Sequence, residues 1–101
     1  GSFVAVIKIY VKMNSESFAR LREQLALQEW PDVYFFKFIV PNDPQSLAQA
    51  TALFTETAEV SFHQSSTGKY ISVSAKELML DVDSIIEVYV RASTIKGVVS
   101  L

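Results

Sequence analysis

Cysteine is absent from the 101 residues. Disulfides, thiolate metal sites and cysteine nucleophiles are therefore excluded, and a reducing cytoplasm is compatible. Histidine occurs once, at His63, so no second histidine or cysteine is there to build a metal site with it. Positive charge is in deficit: nine Lys and Arg stand against eleven Asp and Glu, a formal charge of −2. Neutralising phosphates needs the opposite balance, which argues against nucleic acid as a partner. Long hydrophobic runs are also lacking. The longest, FVAVIKIYV at residues 3–11, carries Lys8 in its middle and is about half of the ~20 residues that a membrane helix needs. It has no small-residue cleavage pattern of a signal peptide. The expectation is a soluble, cytoplasmic protein with no membrane partner.

What is present suffices for a core. Half the residues are apolar and 12% are aromatic, enough for one ordered domain of ordinary size. Residues 3–12 are rich in Val, Ile, Phe and Tyr and predict a strand. Phe3, Ala5, Ile7, Ile9 and Val11 share one face, and Val4, Val6, Lys8, Tyr10 and Lys12 share the other. Both faces are largely apolar, so this strand wants cover or a partner. Asn14 or Ser15 can cap a helix over 16–28, with Phe18, Leu21 and Leu25 at helical spacing. It should stop before Trp30-Pro31, because a residue preceding proline avoids helical angles.

VYFFKFIV, residues 33–40, predicts a central strand that is apolar on both faces. Asp43 as N-cap and Pro44 at the first helical position start a second helix, with Leu47, Ala50, Leu53 and Phe54 as its buried stripe. Alternation over 58–65 and 69–78 predicts two strands around a short turn. Asp81 caps a third helix, with Val82, Ile85, Ile86 and Tyr89 facing the core, and GVVSL after Gly97 makes a last short strand. From residue 33 the order is strand, helix, strand, strand, helix, strand. That is the ferredoxin-like split βαβ plait: an α+β fold with a four-stranded antiparallel sheet and two helices on one face, strands one and three central. It would occupy 31–101, with 1–30 as an N-terminal extension of one strand and one helix.

These residues also resemble a known family. Trp30-Pro31, Phe38 to Pro41, STGKYISV at 66–73, Ala75-Lys76-Glu77, Tyr89 and Gly97-Val98 look like the YbeD-like family of small bacterial proteins of unknown function. The likeness covers about residues 16–101 and rests on order and spacing together. It implies a ferredoxin-like fold similar to the small-molecule-sensing ACT domains, and it brings no catalytic residues. In similar chains the helix corresponding to SESFARLREQL lies close to the initiator methionine, and here Met13 sits just before it. Two readings stay open: Met13 is the natural start and residues 1–12 are upstream or cloning-derived, or residues 3–12 are a native extra strand.

HQSSTGKY, residues 63–70, is the stretch most like chemistry. A phosphate loop needs G-x-x-x-x-G-K-[ST] between a strand and a helix. Here the first glycine is missing, Tyr70 follows Lys69, and a strand comes next. Ser65 to Gly68 instead suit a type I turn, with Gly68 left-handed as a bulge. A lone strand histidine reads as a surface residue, and no G-x-S-x-G elbow supports a hydrolase. Asp43, Asp81, Asp83 and Glu87 are explained by capping or solvation. Lys37 lies on the central strand opposite the core face. With Phe35, Ile39, Ser72 and Ser74 it decorates the sheet face that helices leave open, and His63 and Lys69 complete a candidate interaction surface. In RNA-recognition domains this face stacks bases, but Phe35 alone in an acidic protein carries little of that signal. No catalytic residue, metal site or cofactor is expected. The expected function is a non-enzymatic regulatory or adaptor domain acting through a protein partner or self-association. The alternative is an ACT-like domain sensing a small-molecule ligand near the loop PNDPQ, an inference from fold analogy; that loop lacks a glycine for close approach. An enzyme ranks third and RNA binding fourth.

Overall fold

The strand richest in aromatics becomes the spine of the sheet. The computed structural model describes residues 15–100, and their order is α1 (Ser15–Leu25), β1 (Asp32–Pro41), α2 (Pro44–Thr51), β2 (Glu59–Gln64), β3 (Tyr70–Met79), α3 (Val82–Ala92) and β4 (Val99–Ser100). The strand expected over residues 3–12 lies outside the described residues. The fold is α+β, with one antiparallel four-stranded sheet in the order β2-β3-β1-β4 and three helices. β1 and β3 are central and pair along their whole length, from Asp32 opposite Met79 to Pro41 opposite Tyr70.

Residues two apart on a strand share a face, and here one face takes the core. Phe36, Phe38 and Val40 of β1 and Val73, Ala75 and Met79 of β3 are buried against Leu25 of α1, Ala50 of α2 and Ile85, Ile86, Val88, Tyr89 and Ala92 of α3. All three helices therefore contribute to one core on one side of the sheet. Phe36 sits among Tyr34 (ring centroids 4.7 Å apart), Phe54 (5.5 Å) and Tyr89 (5.6 Å), edge-on and tilted arrangements that suit aromatic quadrupoles. The Tyr34 and Tyr89 hydroxyls share a hydrogen bond of 2.9 Å. Burial pushes the Tyr89 phenol well above its ordinary value, the adjoining Tyr34 adds to this, and a bond with Ser100 pulls part of the way back. Burial also raises Tyr34.

The caps form as the residue types dictate. Asp43 accepts from the Ser46 N–H at 2.7 Å with Pro44 opening the helix, and Asp81 accepts from the Ser84 N–H at 2.8 Å within a reciprocal capping box. Some boundaries differ from expectation. α1 ends at Leu25 rather than at residue 28, because the Leu27 and Gln28 N–H groups turn back to the carbonyls of Gln24 and Leu25 (3.2 and 3.1 Å), the tightening common at helix ends. The Trp30 indole N–H then donates to the Leu25 carbonyl at 2.9 Å and satisfies one terminal acceptor. Leu53 and Phe54, placed in the stripe of α2, follow its end in a turn and still pack on the core. α3 buries Val88 and Ala92 in addition to Ile85, Ile86 and Tyr89, while Val82 is partly buried.

Candidate interaction surface

The sheet face turned away from the helices gathers most of the residues singled out in sequence. Pairing places Phe35 opposite Lys76, Lys37 opposite Ser74 and Ile39 opposite Ser72. Ser72 in turn lies opposite His63, Ser74 opposite Ser61 and Lys76 opposite Glu59. Directly opposed residues share a face, so Phe35, Lys37, Ile39, His63, Ser72 and Ser74 form one contiguous surface. Lys69 does not join them: it lies in the β2–β3 turn, exposed, and its carbonyl accepts from the Asn42 N–H at 3.0 Å.

The face has an apolar end and a polar end. Phe35 is 67% exposed, its neighbours Val33 and Leu78 (a cross-strand pair) are exposed, and Leu80 follows just past the strand. Large apolar side chains left in water next to one another mark an interaction surface more often than isolated ones do. The Lys76 ammonium stands over the Phe35 ring, 5.6 Å from its centroid, within cation–π distance. Among the described residues, Lys37, Lys76 and Glu59 are the charged ones of the face, so their formal charge is positive although the chain is acidic.

Val33, Lys76, Leu78 and Leu80 belong to this surface and were not among the residues picked from sequence. For the last three the signal was available in KELML, residues 76–80, where Lys76, Leu78 and Leu80 keep the parity of Ser72 and Ser74. Phe62 differs from expectation in the other direction: it shares the core side with Val73 yet is 51% exposed, because β2 is the edge strand.

HQSSTGKY is a hairpin turn. The Gly68 N–H donates to the Ser65 carbonyl at 3.0 Å, the Ser65 N–H donates to the Tyr70 carbonyl at 2.9 Å, and Gly68 is left-handed with φ +74°. The turn is tied to the β1–α2 loop. The Asn42 side-chain amide donates to the Gly68 carbonyl at 2.9 Å, beside the Asn42 backbone bond to Lys69. In that loop the N–H groups of Asn42, Asp43, Ser46 and Leu47 all have partners within the protein. Among the described residues no group of three or more His, Cys, Asp or Glu could hold a metal ion, and no helix is long and apolar enough to cross a membrane.

No family model, curated protein or solved structure matches the chain.

Proposed function

We propose that this chain is a non-enzymatic regulatory or adaptor domain of the cytoplasm that works through protein contacts, with another protein or with itself, on the open sheet face. The carrying observation is the exposed apolar end of that face, Val33, Phe35 and Leu78, bordered by Lys37 and Lys76. Its chemistry fits an apolar surface that brings acidic groups to the two lysines. The antiparallel order β2-β3-β1-β4, with β1 and β3 central and the helices on one side, supports reading the unit as a ferredoxin-like plait. The YbeD-like resemblance supports the same reading. A small-molecule role gains less support, because the loop donors that would meet a ligand are engaged in internal bonds.

The test is a pair of substitutions. Phe35→Asp places a charge on the face, and Leu27→Asp places one at the 88% exposed Leu27 of the α1–β1 turn. Both should leave the melting temperature nearly unchanged. Phe35→Asp alone should abolish self-association in light scattering, or lose the proteins that the wild type retains from its native cytoplasm. A chain that is monomeric at all concentrations, and retains the same proteins whether or not Phe35 is replaced, would overturn the proposal.

A further inference from the structure

β2 is an edge strand open to pairing. Among the described residues it pairs only with β3, in unbroken register from Glu59 opposite Lys76 to Gln64 opposite Ile71. It has no bulge and holds no lysine or proline, the devices that commonly keep sheet edges apart. The direction of its backbone groups follows from the turn. The Ser65 N–H donates to the Tyr70 carbonyl. Hydrogen-bonded pairs recur at every second residue of an antiparallel ladder, so 63 with 72, 61 with 74 and 59 with 76 are bonded to each other. Val60, Phe62 and Gln64 therefore turn their N–H and carbonyl groups away from β3, and such a row is a template for another strand. We propose that its occupant is a second copy of this chain, β2 against β2, antiparallel about a two-fold axis at Ser61.

Geometry restricts the register. Closed dimers are two-fold symmetric, and directly opposed residues of antiparallel strands share a face. Residues of like parity must therefore face one another, and the axis must pass through a residue of β2. Chemistry then selects which one. With the axis at Ser61, Glu59 faces the partner's His63, and an imidazole N–H can donate to its carboxylate. An axis at Val60 or Phe62 would set Glu59 against a serine, Ser61 or Ser65. The chosen pair is also one in which the two residues exchange no backbone bonds, which is the closer of the two kinds.

The other face agrees. Val60 meets the partner's Phe62, and the outward backbone groups of these two residues bond to each other. Val60 is already partly buried against the core, whereas Phe62 has core parity and is half exposed. The pairing gives that ring the cover which its own helices leave out, and aromatic with β-branched pairs stabilise sheets. Across the open face the row runs Lys76, Glu59, the partner's His63 and the partner's Ser72. Two four-stranded sheets join into one of eight strands, with all helices on one side. Val33, Phe35 and Leu78 lie on the strands behind β2 and stay exposed. Dimerisation at β2 thus survives Phe35→Asp and leaves the open face to a different protein.

The absence of cysteine allows a test by single substitutions on the exposed side of β2. Ser61→Cys should form a disulfide between copies under mild oxidation, because the two axial residues stand about 4.5 Å apart at Cα. Glu59→Cys should not join with itself, since its two copies lie about 13 Å apart along the strands. A mixture of Glu59→Cys and His63→Cys should join. Ser61→Cys yields no higher than those of Glu59→Cys, or of Ser66→Cys in the turn, would overturn the proposal. So would a wild-type chain that sediments as a monomer up to about 1 mM, or loss of the Ser61→Cys cross-link on adding Phe35→Asp. Phe62→Pro removes one outward N–H and the contact with the partner's Val60 while sparing the bonds to β3, and proline is tolerated at such edge positions. It should keep the circular dichroism of the wild type and sediment as a monomer. Glu59→Lys should weaken the dimer several-fold, and His63→Glu added to it should restore most of the loss. A double variant as weak as the single one would refute the register.

Discussion

Replacing Gly68 by alanine isolates the β2–β3 turn. Gly68 has φ +74°, where an L-residue with a Cβ costs roughly 1–2 kcal/mol. Alanine also restricts the unfolded chain, which returns about 0.4–1 kcal/mol. The added Cβ would lie 2.9 Å from the Gln64 side-chain nitrogen, the far end of an exposed, flexible chain that can swing aside. The net expectation is a loss of about 1 kcal/mol, or about 4–8 °C in melting temperature for a domain of this size. Gly68→Asn should cost less, because asparagine tolerates the left-handed region. Gly97→Ala should cost more: φ is +77° and the new Cβ meets the Pro41 ring carbon at 3.2 Å, a neighbour that cannot rotate away. Urea unfolding of the three variants gives the order directly. An unchanged Gly68→Ala, or an asparagine as costly as alanine, would refute the assignment of the cost to the left-handed backbone.

Phe36→Ala should remove about 3–5 kcal/mol, since Phe36 is fully buried among aromatic rings; a chain that keeps its unfolding midpoint in denaturant would contradict that packing. Asp43→Ala and Asp81→Ala should each cost about 1 kcal/mol, and Asp43→Asn should recover most of the first, as read by thermal melts. Tyr89 gives a pH signature. Its folded value is raised, so the folded state holds a proton that the unfolded state releases above the ordinary value of 10.0. Its contribution is complete below pH 10.0 and is lost as pH climbs from there through the folded value. The difference in stability between wild type and Tyr89→Phe should stay constant up to about that pH and then change as the wild type alone loses this contribution. A constant difference to the limit of alkaline unfolding would be inconsistent with a buried tyrosine.

Much of the fold was legible because local and long-range signals agree. Asp43-Pro44 and Asp81 announce helix starts with side chains that accept the terminal N–H groups. Phe36, Phe38 and Val40 hold one parity through an unbroken run, which fixes the face if not the partner. What sequence misplaced was decided by neighbours. α1 stops at Leu25 as the Leu27 and Gln28 N–H groups tighten onto Gln24 and Leu25, and Trp30 reaches back to satisfy the Leu25 carbonyl. Phe62 has core parity, yet its exposure follows from β2 being an edge, a property of strand order and not of alternation. The candidate surface was half legible. Phe35, Lys37, Ile39, Ser72, Ser74 and His63 share it, while Lys69 shared only their neighbourhood in sequence. Leu78 escaped because it closes the expected strand 69–78 and an apolar side chain does not by itself announce an exposed face, though Leu78 is exposed beside a buried Met79.

Trp30 gives the molecule a built-in optical probe. It is the only tryptophan, its indole is anchored to the end of α1, and its ring centroid lies 6.2 Å from that of Tyr34. Tyr34 in turn touches Tyr89 and Phe36. Light absorbed by these tyrosines can pass to one emitter at the α1–β1 junction, so its emission colour and intensity register whether the helix end remains seated on the aromatic core. Any loosening there would be visible without a label, separately from events at the distant hairpin around Gly68.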